Sequence, residues 1–308
     1  MPTIDVLCPV GDGCFELALL MKETAERTKS GKYSLQWHLA TITHKPLDSW
    51  VAQAMSDRGF DLVVQMSRNE RGGSFAHADA LTEGIRQMRN PYLLVVDSDV
   101  AFLHRDWDIT LMSHLKKKTA IVGCPYPNNT KHTKQCYQRF PSLVCALFDT
   151  HVLKKLDIDL QPGKRGKRFI RKRIMDKQNE RWFRRPRGSR VVKEMGWRLP
   201  LAYKVKGYGG YSLDFVASDS SNRQFPFADK KQRAWFDKHK GYKGADEYHY
   251  KGRLMFVHWK GARNTSFGEM SGKVWFNRIN LCLKEKYDIE VDQEHVLLPA
   301  KANVASPN

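Results

Sequence analysis

Gly72-Gly-Ser-Phe-Ala-His-Ala-Asp-Ala-Leu-Thr-Glu-Gly-Ile-Arg-Gln-Met-Arg-Asn-Pro-Tyr-Leu-Leu-Val-Val-Asp97-Ser98-Asp99-Val100 opens on paired glycines and closes on paired acids. The residues from Ala76 to Met88 have helical spacing, and Tyr92 to Val96 is a short apolar strand. A buried strand that ends in Asp-x-Asp places both carboxylates at the edge of a sheet, where ligands gather in open α/β folds. Two uncompensated carboxylates at such an edge are costly, and a divalent cation relieves that cost. Asp106-Trp-Asp108 and Asp157-Ile-Asp159 repeat the pattern without a buried strand before it, and they are expected to be solvated acids.

Outward from this stretch the same alternation continues. Ile4 to Pro9, Ser34 to Thr43 and Phe60 to Met66 read as strands, and Phe15 to Lys29 and Trp50 to Arg58 as helices. Downstream, Ala120 to Cys124, Pro141 to Phe148, Leu199 to Val205 and Arg253 to His258 read as strands, and Met270 to Tyr287 as a helix. The fold class expected is α/β, a mostly parallel sheet flanked by helices, with no internal repeat. A polar and aromatic stretch leads up to Tyr250, and the tail from Pro299 is expected to be loose.

The chain has 308 residues, 52 Lys+Arg and 33 Asp+Glu, for a net charge of +19. Residues 161 to 190 hold thirteen of the basic residues against Asp176 and Glu180, a local net of +11. Such a charge points to a polyanionic partner. The 41% hydrophobic content excludes wholesale disorder, and no apolar run approaches the length of a membrane span. The cysteines, Cys8, Cys14, Cys124, Cys136, Cys145 and Cys282, form no C-x-x-C pair, and most read as buried thiols of a reducing compartment. With no secretory signal pattern at the N-terminus, a cytoplasmic location is expected, the host's cytoplasm if the protein is viral.

The run Ala80-Leu81, Gly84-Ile85, Tyr92 and Leu-Val-Val-Asp-Ser-Asp resembles the nucleotide-sugar signature of family 2-like glycosyltransferases with the GT-A fold. Pro141-Ser142-Leu143 with Leu147-Phe148 resembles a later strand of that family. The resemblance extends over residues 3 to 265 and is strongest between 72 and 148. It implies a Rossmann-like donor half over residues 1–125, an acceptor half over 126–268 with a basic insertion at 161–190, and a C-terminal helix and tail over 269–308. It also implies inverting transfer from a nucleoside-diphosphate sugar, a UDP-sugar first among them, with Mn2+ or Mg2+.

Carried over residue by residue, the resemblance makes Asp99 the direct metal ligand, with Asp97 on the metal or the ribose and Ser98 between them at the donor. His258, ending Arg253-Leu-Met-Phe-Val-His, matches a late histidine on the metal. Pro9, Val10, Thr41 and Thr43 would line the nucleobase pocket, Arg71 would sit near the base or phosphates, and Lys260 and Arg263 would hold the diphosphate. The acceptor-side base of the family is an acid shortly before a glycine, and Glu194 in Lys193-Glu-Met-Gly196 is the nearest match, with Asp214 and Asp219 as rivals. Glutamate there departs from the family's aspartate by one methylene.

The segment before Glu194 interleaves Phe169, Trp182 and Phe183 with cations. Arginine forks suit phosphates, and aromatic rings stack on bases. Arg168, Arg171, Lys172, Arg173, Arg181, Trp182, Arg184 and Arg185 are therefore expected to contact double-stranded DNA, whose hydroxymethylated base (of the 5-hydroxymethylcytosine type known from bacteriophages) would accept the sugar after flipping out of the duplex. A transferase of surface polysaccharide or lipid-linked glycan at an anionic membrane ranks second. A nucleotidyltransferase would need a glycine-rich phosphate loop directly after Ile4 to Pro9, where none is found. A non-catalytic nucleic-acid binder would explain the charge and leave Asp97, Asp99 and His258 without a purpose.

Overall fold

The computed structural model describes residues 1–67, 73–125, 140–162, 195–218, 220, 222–225, 245–259 and 270–299. Its first half runs β1 (Thr3–Gly11), α1 (Phe15–Thr28), β2 (Ser34–Thr43), α2 (Ser49–Asp57), β3 (Phe60–Ser67), α3 (Gly73–Gln87), β4 (Tyr92–Val96), β5 (Val100–Phe102), α4 (Trp107–Met112) and β6 (Thr119–Pro125). The second half runs β7 (Pro141–Asp149), α5 (Thr150–Leu156), α6 (Leu199–Val205), β8 (Gly209–Ser212), β9 (Asp214–Val216), β10 (Ala245–Tyr250), β11 (Arg253–Trp259), α7 (Met270–Tyr287) and α8 (Gln293–Val296).

Seven strands form one sheet in the order β3-β2-β1-β4-β7-β6-β8. β1, β2, β3 and β4 pair in parallel, β7 runs antiparallel between β4 and β6, and β8 is parallel to β6. The expected mostly parallel α/β sheet is therefore present. A second, antiparallel sheet has the order β5-β11-β10-β9.

Alternation along the strands sorts the core into two faces. On one face Ile4, Val6 and Cys8 of β1, with Leu94 and Val96 of β4, pack with α1, α7 and the second sheet. On the other, Leu7, Leu93, Val95 and Phe148 pack with Ala80, Leu81 and Ile85 of α3, Val152 and Leu153 of α5, and Leu199 and Tyr203 of α6. Each fully buried aliphatic or aromatic side chain contributes on the order of 1.5–3 kcal/mol. α3 can lie close on β1 because Gly84 has no side chain: a Cβ there would stand 2.8 Å from both methyls of Leu7. Phe102 and Trp107 each meet Phe256 edge to face and tilt against one another, joining β5, α4 and β11, while Trp259 stacks on Trp275 at 5.2 Å and ties β11 to α7.

Two expectations need correction. Leu199 to Val205 is a helix, not a strand. Pro200 near its start supplies a preset helical φ, and Leu199 and Tyr203, four residues apart, are both buried on one face. Asp108 is not solvated. It is 0% exposed and accepts hydrogen bonds from the Ser30 N–H (2.9 Å) and the Ser30 hydroxyl (2.6 Å), which anchor the α1–β2 turn to α4. Asp159 is exposed and pairs with Arg198. Cys8, Cys124, Cys145 and Cys282 are buried free thiols, and Cys136 lies outside the described residues. Among the described residues, no helix is long and apolar enough to cross a membrane.

Candidate metal centre

Asp97 and Asp99 sit where the chain leaves one sheet for the other. The Asp97 N–H donates to Val144 O (2.8 Å), which extends the β4–β7 pairing by one residue, and Val100 N–H closes a turn onto Asp97 O (3.2 Å). Beyond the turn, β5 pairs with β11 so that Val100 faces His258, and the Trp259 N–H donates to Asp99 O (2.9 Å). The switch thus holds the two carboxylates from two sides. His258 Nε2 lies 3.3 Å from Asp99 Oδ1, and the ligand atoms of Asp97, Asp99 and His258 lie within 4.8 Å of one another.

These side chains are mostly shielded, with 21% of Asp97, 15% of Asp99 and 14% of His258 exposed. Burial, then the charge of Asp99, pushes the Asp97 carboxyl well above the usual carboxylate range, with His258 opposing. Burial alone would lower His258, but Asp99 (as charge and hydrogen-bond partner), Asp97 and Asp246 outweigh it and hold the imidazole at about 9. Both shifts favour holding positive charge within the cluster, as a proton here or as a cation bound in its place.

The donor set fits a hard divalent cation such as Mg2+ or Mn2+. Two carboxylate oxygens and one imidazole nitrogen converge, and the buried Asp97 Oδ1 has no hydrogen-bond partner. His77 of α3 brings a fourth polar atom: its Nε2, also buried without a partner, lies 3.7 Å from Asp97 Oδ1. Burial lowers the His77 imidazole to about 4, so it is neutral at pH 7.

His77 and Asp246 were not singled out from the sequence. His77 lay inside the quoted stretch, one helical turn into α3, and a polar residue among Phe75, Ala76, Ala78 and Ala80 was the available signal. Asp246 pairs with His258 across the β10–β11 ladder, is 3% exposed, and accepts the Ser218 N–H (3.2 Å). The next residue, Glu247, is fully buried and accepts from the N–H groups of Gln224 (2.9 Å) and Phe225 (3.0 Å) and from His249 (2.9 Å). Burial would raise its carboxyl, but these partners hold it below the ordinary value.

The other expected residues divide into those placed and those outside the description. Pro9 and Val10 end β1 beside Thr41 of β2 and are buried, as are Thr41 and Thr43. The Thr41 hydroxyl donates to Val64 O (3.3 Å) and that of Thr43 to Lys45 O (2.6 Å). Ser98 is partly exposed between the two acids. Asp214 opens β9 opposite His249, which is three residues, ~10 Å of strand, along β10 from Asp246. Arg71, Glu194, Asp219, Lys260, Arg263 and the segment holding Arg168, Arg171, Lys172, Arg173, Arg181, Trp182, Arg184 and Arg185 lie outside the described residues.

No family model matches the chain, and no curated protein matches it. Among solved structures, the glycosyltransferase GlyE of Streptococcus pneumoniae is similar over 98% of this chain and 66% of its own, at 11% identity and a TM-score of 0.45. Glucosyl-3-phosphoglycerate synthase of Mycobacterium tuberculosis, with Mn2+ and uridine-diphosphate-glucose, is similar over 52% of this chain and 59% of its own, at 15% identity and 0.35. The mannosyltransferase PcManGT of Pyrobaculum calidifontis, with GDP-Man and Mn2+, is similar over 50% and 46%, at 16% identity and 0.33. The chain therefore spans about half to two thirds of the length of these structures.

Proposed function

We propose that the protein is a metal-dependent, inverting glycosyltransferase of the GT-A type that moves a sugar from a nucleoside-diphosphate donor to a hydroxyl on a polyanionic acceptor. The observation that carries this reading is the convergence of Asp97, Asp99 and His258 within 4.8 Å at the carboxyl end of a parallel sheet. A divalent cation bound there would neutralise the charge that develops on a departing diphosphate.

The chain's own groups then have separate tasks. Asp97 and Asp99 are held by backbone pairing to two sheets, and they would hold the ion that takes the donor's diphosphate. Lys260 and Arg263, which follow β11 directly in sequence, would add cations beside His258. Glu194 would take the proton of the acceptor hydroxyl as its oxygen bonds to the anomeric carbon and the bond from that carbon to the diphosphate breaks. The +11 segment at 161–190 supports a polyanion as acceptor, and a hydroxymethylated base in double-stranded DNA is the first candidate.

The test is transfer from a panel of radiolabelled UDP-sugars, with Mn2+, onto plain, hydroxymethylcytosine and hydroxymethyluracil DNA. Label on one modified DNA that disappears with EDTA supports the reading and names base and sugar. Donor hydrolysis without DNA labelling keeps the transferase and moves the acceptor to surface glycan or lipid-linked glycan. A protein that neither hydrolyses nor transfers any nucleotide sugar refutes it.

A further inference from the structure

The sheet edge opposite Asp97 carries a different chemistry. The Lys116–Thr119 turn before β6 meets the start of β8, where the Gly209 N–H donates to Lys118 O (2.6 Å). α6 ends at the same edge and leaves Val205 67% exposed between the exposed Lys204 and Lys206. The β10–β11 turn, with Lys251, reaches it from the second sheet. The Tyr250 hydroxyl is 3.2 Å from His114 Nε2, and Tyr211 stacks on His114 at 3.8 Å. Burial and then the charges of Lys116 and Lys251 lower the His114 imidazole, and the Lys251 ammonium lies 5.3 Å from the centre of the Tyr250 ring.

Lys116, Lys117, Lys118, Lys204, Lys206 and Lys251 are all exposed. Among the described residues, Lys116, Lys117, Lys118, Lys206 and Lys251 enter no salt bridge. The exposed Asp214 of β9 adds a carboxylate that acts on Tyr211.

We propose that this edge is a docking surface for an anionic lipid bilayer. Six of its cations are lysines, compact charges that suit the diffuse field of a membrane, with the exposed Arg253 beside Lys251; the fork geometry of arginine suits individual phosphates of a nucleic acid. They stand on turn and helix tips along one edge. Val205, one of two exposed large hydrophobic residues among those described, projects between two lysines as an apolar contact at the headgroup level. Arg253 opens β11 at this edge and His258 lies five residues further, so a docked molecule holds its metal centre about 17 Å from that end of the strand. The inference is independent of sugar transfer, since lipid binding needs no donor.

The experiment is co-sedimentation of the full chain with vesicles of 70% phosphatidylcholine and 30% phosphatidylserine, and with pure phosphatidylcholine vesicles. The variants are Lys116→Gln/Lys117→Gln/Lys118→Gln and Val205→Asp, each checked by thermal melting. Wild type should bind the anionic vesicles alone. At roughly fivefold per lysine, the triple variant should bind them on the order of a hundredfold more weakly, and Val205→Asp should also weaken binding. Wild-type failure to bind, or variants that bind as tightly as wild type, overturns the proposal. So does a triple variant that keeps vesicle binding but loses affinity for a fluorescent 20-base-pair DNA duplex, which would assign the edge to nucleic acid.

Discussion

Replacing Asp99 by Asn separates the metal centre from the fold that carries it. The backbone role of residue 99, accepting the Trp259 N–H, survives the change, while one oxygen ligand loses its charge. The substitution also removes the charge that raises Asp97 and the partner 3.3 Å from His258, so the metal-free protein sheds a repulsion as well as an attraction. Its melting temperature should stay within a few degrees of wild type. Mn2+ at 100 times the wild-type Kd stabilises by about 2.7 kcal/mol. At roughly 2–4 °C per kcal/mol for a chain of this size class, that is a rise of about 5–10 °C. If losing the carboxylate weakens binding about 100-fold, the upper end of what supporting groups alone contribute, the same Mn2+ concentration stabilises the variant by only ~0.4 kcal/mol, about 1 °C. Differential scanning calorimetry with and without Mn2+, with EDTA reversal, measures this. An Asp99→Asn protein that gains as many degrees as wild type would falsify the ligand assignment.

Three further outcomes are expected. Neutralising Arg171, Lys172 and Arg173 together should raise the KM for a DNA acceptor and flatten its salt dependence, and an unchanged salt slope would mean that these residues do not touch it. Asp5, 1% exposed, accepts from His38, the Arg89 and Asn90 N–H groups and the Asn90 side chain; burial would raise its pKa, but these partners hold it below the ordinary value. Its contribution is therefore full above the unfolded carboxylate pKa and is lost as pH falls through the lower folded value, so Asp5→Asn should cost on the order of 2–4 kcal/mol at pH 7 and shrink the loss of stability on acidification; parallel melting-temperature profiles for variant and wild type from pH 7 to 3 would contradict this. Gly123→Ala would put a Cβ 2.3 Å from Cys145 O and 2.6 Å from Ala146 Cα, between paired strands that cannot move apart, and should leave little soluble protein; a variant that expresses and melts like wild type would show that β6 and β7 can part.

Much of the scaffold was legible because its elements are long and periodic. Ser34 to Thr43, Tyr92 to Val96 and Met270 to Tyr287 agree with the structure at both ends, and the other first-half strands and helices agree within a few residues. What escaped was short or set by distant partners. β5 is three residues long and exists as a strand because β11, far along the chain, pairs with it. α5 is seven residues long, and its start signal is the Asp149 side chain accepting the Val152 N–H (2.9 Å) at the end of a strand. Leu199 to Val205 holds too few residues for its period to separate helix from strand, and packing of Leu199 and Tyr203 decides it. Asp108 looked like a surface acid because its partner, Ser30, is 78 residues away.

The same division runs through the centre itself. A local motif names ligands, but whether they converge is a matter of long-range register. Asp97 directly follows a strand of one sheet and Asp99 directly precedes a strand of the other, so the pair is useful because the chain turns between them. The β5–β11 register then brings His258 against Asp99, and the β10–β11 register sets Asp246 beside His258. A shift of one residue in the β5–β11 ladder would turn His258 to the opposite face and leave two carboxylates facing each other without a base, and a shift in the β10–β11 ladder would take Asp246 from beside it. Asp246 is buried and accepts a backbone N–H, so it suits holding the imidazole and not receiving a proton from an acceptor. On the far side of β10, Asp214 of β9 faces His249, three residues further along that strand than Asp246.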